Sequence, residues 1–167
     1  MRAVTNAGPL IHLSWIESLD LLRVLFEEVV APTAVRDEVF RPGSDVPGVA
    51  AIRGAFAAGS VVVRPVADRA AVARLLTELD RGEAEAIVLM REAGADVLLL
   101  DDRRARTHAQ HEGLPISGTI GVLRLARDRG LVPAVAPLLD ELRRRGFRIG
   151  ADLVDQIGRE EAGRRSG

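Results

Sequence analysis

The chain has 167 residues, a formal charge of −1, no cysteine and 47% hydrophobic residues, which suits one domain burying about 70% of its unfolded surface. Without cysteine there is no disulfide framework, thiolate nucleophile or zinc–thiolate site, and the balance of 23 basic against 24 acidic residues excludes an overtly basic nucleic-acid binder while leaving room for an acidic site framed by arginines. All 23 basic residues are arginine, so a P-loop phosphate site and a Schiff-base enzyme are excluded as well.

Taken in chain order, short apolar runs alternate with longer helical patterns. Strands are predicted at Arg2–Thr5, Glu28–Ala31, Ser60–Arg64, Asp96–Leu100 and Leu114–Ser117; each is a short run bounded by Gly, Pro or Asp, as buried parallel strands are. Between the first two, Leu10–Ile16 and Leu19–Phe26 carry apolar residues at helical spacing. Pro32 opens a helix over Thr33–Phe40, and Arg41–Gly48 is a turn-rich connector. Further helices are predicted at Val49–Ala58, Asp68–Leu79, Glu83–Ala93, Arg103–His111 and Ile120–Arg129. The last part, with Leu138–Arg145 and Leu153–Ile157, is helical only. The expected architecture is a three-layer α/β/α domain with a mainly parallel sheet of about five strands. It spans residues 1–157, with a core at 1–130, helices at 131–157, and a flexible tail over 158–167. The short, interrupted N-terminal apolar run does not read as a signal peptide, and no stretch approaches the ~20 apolar residues of a membrane span, so a soluble cytoplasmic protein is expected.

Ligands of open parallel sheets bind beyond the carboxyl ends of the strands. The polar residues there are Thr5-Asn6, Asp101-Asp102 and Ser117-Gly118-Thr119, and the helical carboxylates Glu38 and Glu83 can face the same crevice. Carboxylates converging from separate segments repel one another, and a divalent cation relieves that repulsion. Oxygen-only ligation points to Mg²⁺ or Mn²⁺ and to metal-assisted phosphoryl chemistry. Each residue also has a plainer explanation. Asn6 can cap a helix, Glu38 with Asp37 can be a solvated face, and Glu83 and Glu85 can complement a helix dipole. One of Asp101 and Asp102 can cap the helix that follows, and strand alternation lets only one of the two aim fully at the crevice.

The segments VTNAGPLIHL, APTAVRDEV, LDRGEAEAIVLM and LLLDDRRARTHAQHEGLPISGTIGVL, in that order over about residues 1–130, resemble a PIN domain, the fold of VapC-type toxin ribonucleases. The resemblance implies catalytic carboxylates at Glu38, Glu83 and Asp102. It implies Mg²⁺ or Mn²⁺ held by Asn6, Glu38, Glu83, Asp101 and Asp102, with Ser117 and Thr119 as supporting groups and Glu85 competing with Glu83. Arg103, Arg104 and Arg106 would bind RNA phosphates as bidentate donors. The expected activity is endoribonuclease cleavage by the toxin of a toxin–antitoxin pair, with a small antitoxin protein as partner and a homodimer as the assembly. One departure stands out: such nucleases carry Asp where this chain has Asn6, which supplies an oxygen without charge.

That departure motivates an alternative, a catalytically attenuated PIN-like domain that binds RNA or a protein. A receiver-like phosphoacceptor is disfavoured, because no acidic pair follows the first strand and no lysine is present. A histidine-dependent hydrolase is disfavoured too, since His12, His108 and His111 have no Ser or Cys in a nucleophile setting.

Overall fold

The computed structural model describes residues 1–43 and 45–165. Ser44, in the expected connector, and residues 166–167 of the expected tail lie outside the described residues. Five strands, β1 (Arg2–Thr5), β2 (Glu28–Pro32), β3 (Val62–Arg64), β4 (Val97–Leu99) and β5 (Ile116–Ser117), form one sheet in the order β3-β2-β1-β4-β5. Every pairing is parallel, with Val4 opposite both Val30 and Leu98 in the centre. The chain builds outward from β1 first to one side and then to the other. The sheet's switch point therefore lies between β1 and β4, and a crevice opens beyond their carboxyl ends.

Alternation along the strands divides the core in two. Val4, Val30, Leu98 and Leu100 face α5 (Arg69–Leu75), α6 (Arg81–Ala93) and α7 (Arg103–His111). Ala3, Val29, Ala31 and Leu99 face the opposite layer, which includes α1 (Ala7–Trp15), α2 (Leu21–Leu25), α8 (Thr119–Asp128) and α9 (Ala136–Arg144). Both sets are buried, and each buried Val or Leu contributes about 1.5–3 kcal/mol. Two further helices, α3 (Thr33–Val39) and α4 (Val49–Ala57), follow β2, with α3 packed on α6 and α4 on α1. The three-layer α/β/α expectation is met, with an all-parallel sheet. Among the described residues no helix is long and apolar enough to cross a membrane.

The helix starts show why the site lies where it does. The Asn6 side chain accepts the Ala7 N–H at 2.7 Å and starts α1 three residues earlier than the apolar pattern predicts. Asp80 and Glu83 form a reciprocal capping box that starts α6 at Arg81. Asp102 accepts the N–H groups of Arg104 and Ala105 at 2.8 and 3.0 Å and starts α7. All three starts are at the carboxyl edge of the sheet.

The C-terminal end differs from expectation. Instead of a flexible tail from residue 158, α10 (Ala151–Arg165) continues in register, with Val154, Ile157 and Glu161 buried. Glu161 holds it in place. Its carboxylate accepts the Val135 N–H at 2.6 Å and the Ala136 N–H at 3.2 Å, and Arg127 Nη1 lies 3.3 Å away. These N–H groups at the start of α9 have no partner within their own helix, so the buried glutamate is satisfied.

Candidate functional site

Gly82, in the first turn of α6, is the floor of the crevice. A Cβ placed on it would lie 2.9 Å from Glu38 Oε2, 3.2 Å from Asn6 Oδ1 and 3.5 Å from Asp80 Oδ1. Three oxygens from three separate segments thus converge over one glycine: the end of β1, the second turn of α3 and the cap of α6. The cleft there has a volume of about 340 Å³ and includes Glu38, Arg41, Asp80 and Gly82 in its lining. Glu38 is half-buried, and its carboxylate makes no hydrogen bond among the described residues.

The electrostatics reflect this crowding. Burial pushes the Glu38 carboxyl above its ordinary value, Asp80 pushes it further, and Arg41 partly offsets the rise. Glu83 is raised from 4.5 to about 7, first by burial and then by Asp80, with smaller contributions from Asp102 and Glu38; its hydrogen bond from the Asp80 backbone acts the other way. Of the acids that the sequence groups together, Glu83 is influenced by both Asp102 and Glu38, and Asn6 Oδ1 and Glu38 Oε2 both lie over Gly82.

Other expected site residues are placed elsewhere. Asp101 turns away from this group: Oδ1 accepts the Thr119 N–H at 2.8 Å, while Oδ2 accepts the Thr119 hydroxyl at 2.6 Å and lies 2.7 Å from His12 Nδ1. Its oxygens tie α1 to α8, so the expected metal ligand is a structural tether here. Fully buried Thr119 serves Asp101 rather than the carboxylate group. Ser117 sits against Gly121, where a Cβ would overlap its hydroxyl. Arg106 Nη1 donates to the carbonyls of Leu100 and Ser117 at 2.8 and 2.7 Å, clamping the ends of β4 and β5. Glu85 has no exposed side-chain surface; it accepts the Ala34 N–H at 3.0 Å and pairs with Arg81 and Arg69 at 3.0 and 3.3 Å. Arg103 and Arg104 are exposed and line a cleft of about 490 Å³ with Asp102.

Asp80 is the residue that sequence reasoning missed. Its signal was present: Asp80-Arg81-Gly82-Glu83 is a capping box, and the helix that carries Glu83 must start at its cap.

The crevice offers only hard oxygen donors, which suit Mg²⁺ or Mn²⁺. The cradle over Gly82, which any larger residue would fill, fits such an ion. Of the expected ligands, Asn6 and Glu38 have oxygens over Gly82, whereas Glu83 Oε2 accepts the Asp80 N–H and Asp102 Oδ1 caps α7. Among the described residues no three acidic or imidazole side chains form a group that could hold a metal ion, and the oxygens over Gly82 come from two acids and one amide.

A family model described as a PIN domain matches residues 2–162, nearly the whole chain. The protein belongs to the PIN-domain family, a family of nuclease-like fold. No curated protein and no solved structure gave a match.

Proposed function

Starting from PIN-domain membership, we propose that this protein is a metal-dependent endoribonuclease of the VapC-like kind, acting in the cytoplasm as the toxin of a toxin–antitoxin pair. The observation that carries this reading is the convergence of Glu38, Asn6 and Asp80 oxygens over Gly82 beside a Glu83 carboxyl raised to about 7. A bound Mg²⁺ or Mn²⁺ supplies Lewis-acid stabilisation of phosphodiester charge and lowers the pKa of a bound water. Glu38, Glu83 and Asp102 supply negative charge to that ion, and Asn6 supplies a neutral oxygen. Exposed Arg103 and Arg104, beginning the helix capped by Asp102, hold the flanking phosphates of RNA. A small antitoxin would block the same crevice, and a homodimer is the proposed assembly.

The test is cleavage of RNA by the purified protein with Mg²⁺ or Mn²⁺. Asp102→Asn keeps the helix cap, since Asn caps as well as Asp, but removes a charge. Cleavage by Asp102→Asn at the parental rate refutes the site assignment.

Asn6 supports a second reading, an attenuated domain that binds RNA or a protein. Its Oδ1 is already engaged by the Ala7 N–H and carries no charge. A large gain in cleavage on Asn6→Asp would show that the natural site is attenuated, and parental activity unchanged by that substitution counts against it.

A further inference from the structure

We propose that Asp80 is a further carboxylate of the cation site and supplies the negative charge that Asn6 lacks. This rests on the reading of the crevice as a divalent-cation site. Asp80 Oδ1 accepts the Glu83 N–H at 2.8 Å and lies among the oxygens over Gly82. Its second oxygen takes no hydrogen bond among the described residues. Asn6 Oδ1, the neutral oxygen over Gly82, already accepts the Ala7 N–H at 2.7 Å, so the charge at this point comes from Asp80 and Glu38.

A helix cap alone does not explain an acid here. Asn or Ser at the cap would satisfy the same Glu83 N–H about as well as Asp. The helix dipole favours an acid only modestly at exposed positions. Against that, the Asp80 charge is held beside two other carboxylates, Glu38 and Glu83, and repels both. Charge at this position destabilises the empty crevice and stabilises a loaded one. Asp80 Oδ1 and Asn6 Oδ1 lie 3.5 and 3.2 Å from the same point over Gly82, so a carboxylate at one position can stand in for a carboxylate at the other.

The experiment is calorimetric titration with Mn²⁺ of the parent, Asp80→Asn, and Asp80→Asn combined with Asn6→Asp, alongside melting temperatures without metal. Asp80→Asn is expected to weaken Mn²⁺ binding about tenfold, while the metal-free melting temperature stays the same or rises. Adding Asn6→Asp is expected to restore binding to within about threefold of the parent. Equal Mn²⁺ affinity of parent and Asp80→Asn would make Asp80 a cap only and overturn the proposal, leaving the cation reading intact. Loss of binding with no recovery in the double variant overturns the compensation of Asn6. A folded parent that binds no Mn²⁺ at millimolar concentration overturns both the cation site and the role of Asp80.

Discussion

Replacing Gly82 with alanine separates the site from the fold. The new Cβ would lie 2.9 Å from Glu38 Oε2 and 3.2 Å from Asn6 Oδ1, closer than a carbon and oxygen pack comfortably. The Glu38 carboxylate must then retreat by about half an ångström, and Asn6, buried and bonded to Ala7, has little room to follow. Stability moves the other way. Gly82 lies inside α6, where alanine is favoured over glycine by about 0.5–1 kcal/mol, equivalent to a rise of about 2–4 °C per kcal/mol in melting temperature for a chain of this size. Gly82→Ala is therefore expected to melt no lower than the parent while cleaving RNA about 10–100-fold more slowly, since displacing a group by about 1 Å can cost about 100-fold. The assays are single-turnover cleavage with Mn²⁺ and thermal unfolding without metal. Parental cleavage and Mn²⁺ affinity in Gly82→Ala would refute the reasoning, because the convergence of oxygens over this glycine would then have no functional consequence.

Other outcomes follow from the same geometry. Glu83 titrates near 7 when folded and near its ordinary 4.5 when unfolded, so in metal-free protein its contribution to stability is fully present below 4.5 and is lost as pH rises through about 7. Melting temperatures across that range check the sign, and Mn²⁺ binding, which needs the ionised carboxylate, is expected to strengthen as pH rises through the same window. Asp101→Ala strands Thr119 and His12 and is expected to cost about 2–3 kcal/mol by urea denaturation, whereas Asp102→Asn changes stability by less than about 0.5 kcal/mol and lowers cleavage. Glu85→Ala leaves the Ala34 N–H unpaired in the interior and releases two arginines; a loss of about 3 kcal/mol is expected with no direct effect on Mn²⁺ affinity. Glu161→Ala is expected to free α10 from the start of α9, read as faster hydrogen exchange at Val135 and Ala136.

The strands were legible because buried parallel strands are short apolar runs, and all five lie within their predicted ranges or overlap them by most of their length. The structure trims the edges: β5 keeps only Ile116–Ser117, having one neighbour to bond to. The helix starts were less legible, since apolar spacing reports the buried face whereas a start is fixed by its cap. Asn6 and Asp80 begin their helices before the predicted positions, whereas α7 starts at Arg103 behind an Asp cap as expected. The length of α10 was hidden for a different reason. Its buried stripe runs Val154, Ile157, Glu161, and the third position carries a charge. The groups that make a buried glutamate tolerable belong to Arg127, Val135 and Ala136, far away in sequence.

The acids illustrate most clearly what sequence holds and what it does not. At three candidate site positions the chain offers two neighbouring acids, and composition alone does not separate them. Structure separates each pair by its partners. Asp37 bonds to Arg36, Glu85 to two arginines and the Ala34 N–H, and Asp101 to Thr119 and His12. Glu83 and Glu85, two residues apart on α6, are about 200° apart around the helix, which sends them to different environments. The other member of each pair is left less satisfied. For both Glu38 and Glu83, after burial itself, the strongest electrostatic influence is another acid, Asp80. Asp101 and Glu85 tie separate elements together, whereas Glu83 and Asp102 cap helix starts at the switch point of the sheet, near Glu38. In a chain whose net charge is only −1, that local surplus is what the proposed cation would neutralise. It also explains how an asparagine at position 6 is compatible with the proposed site: the charge missing from the end of β1 is present three residues before Glu83.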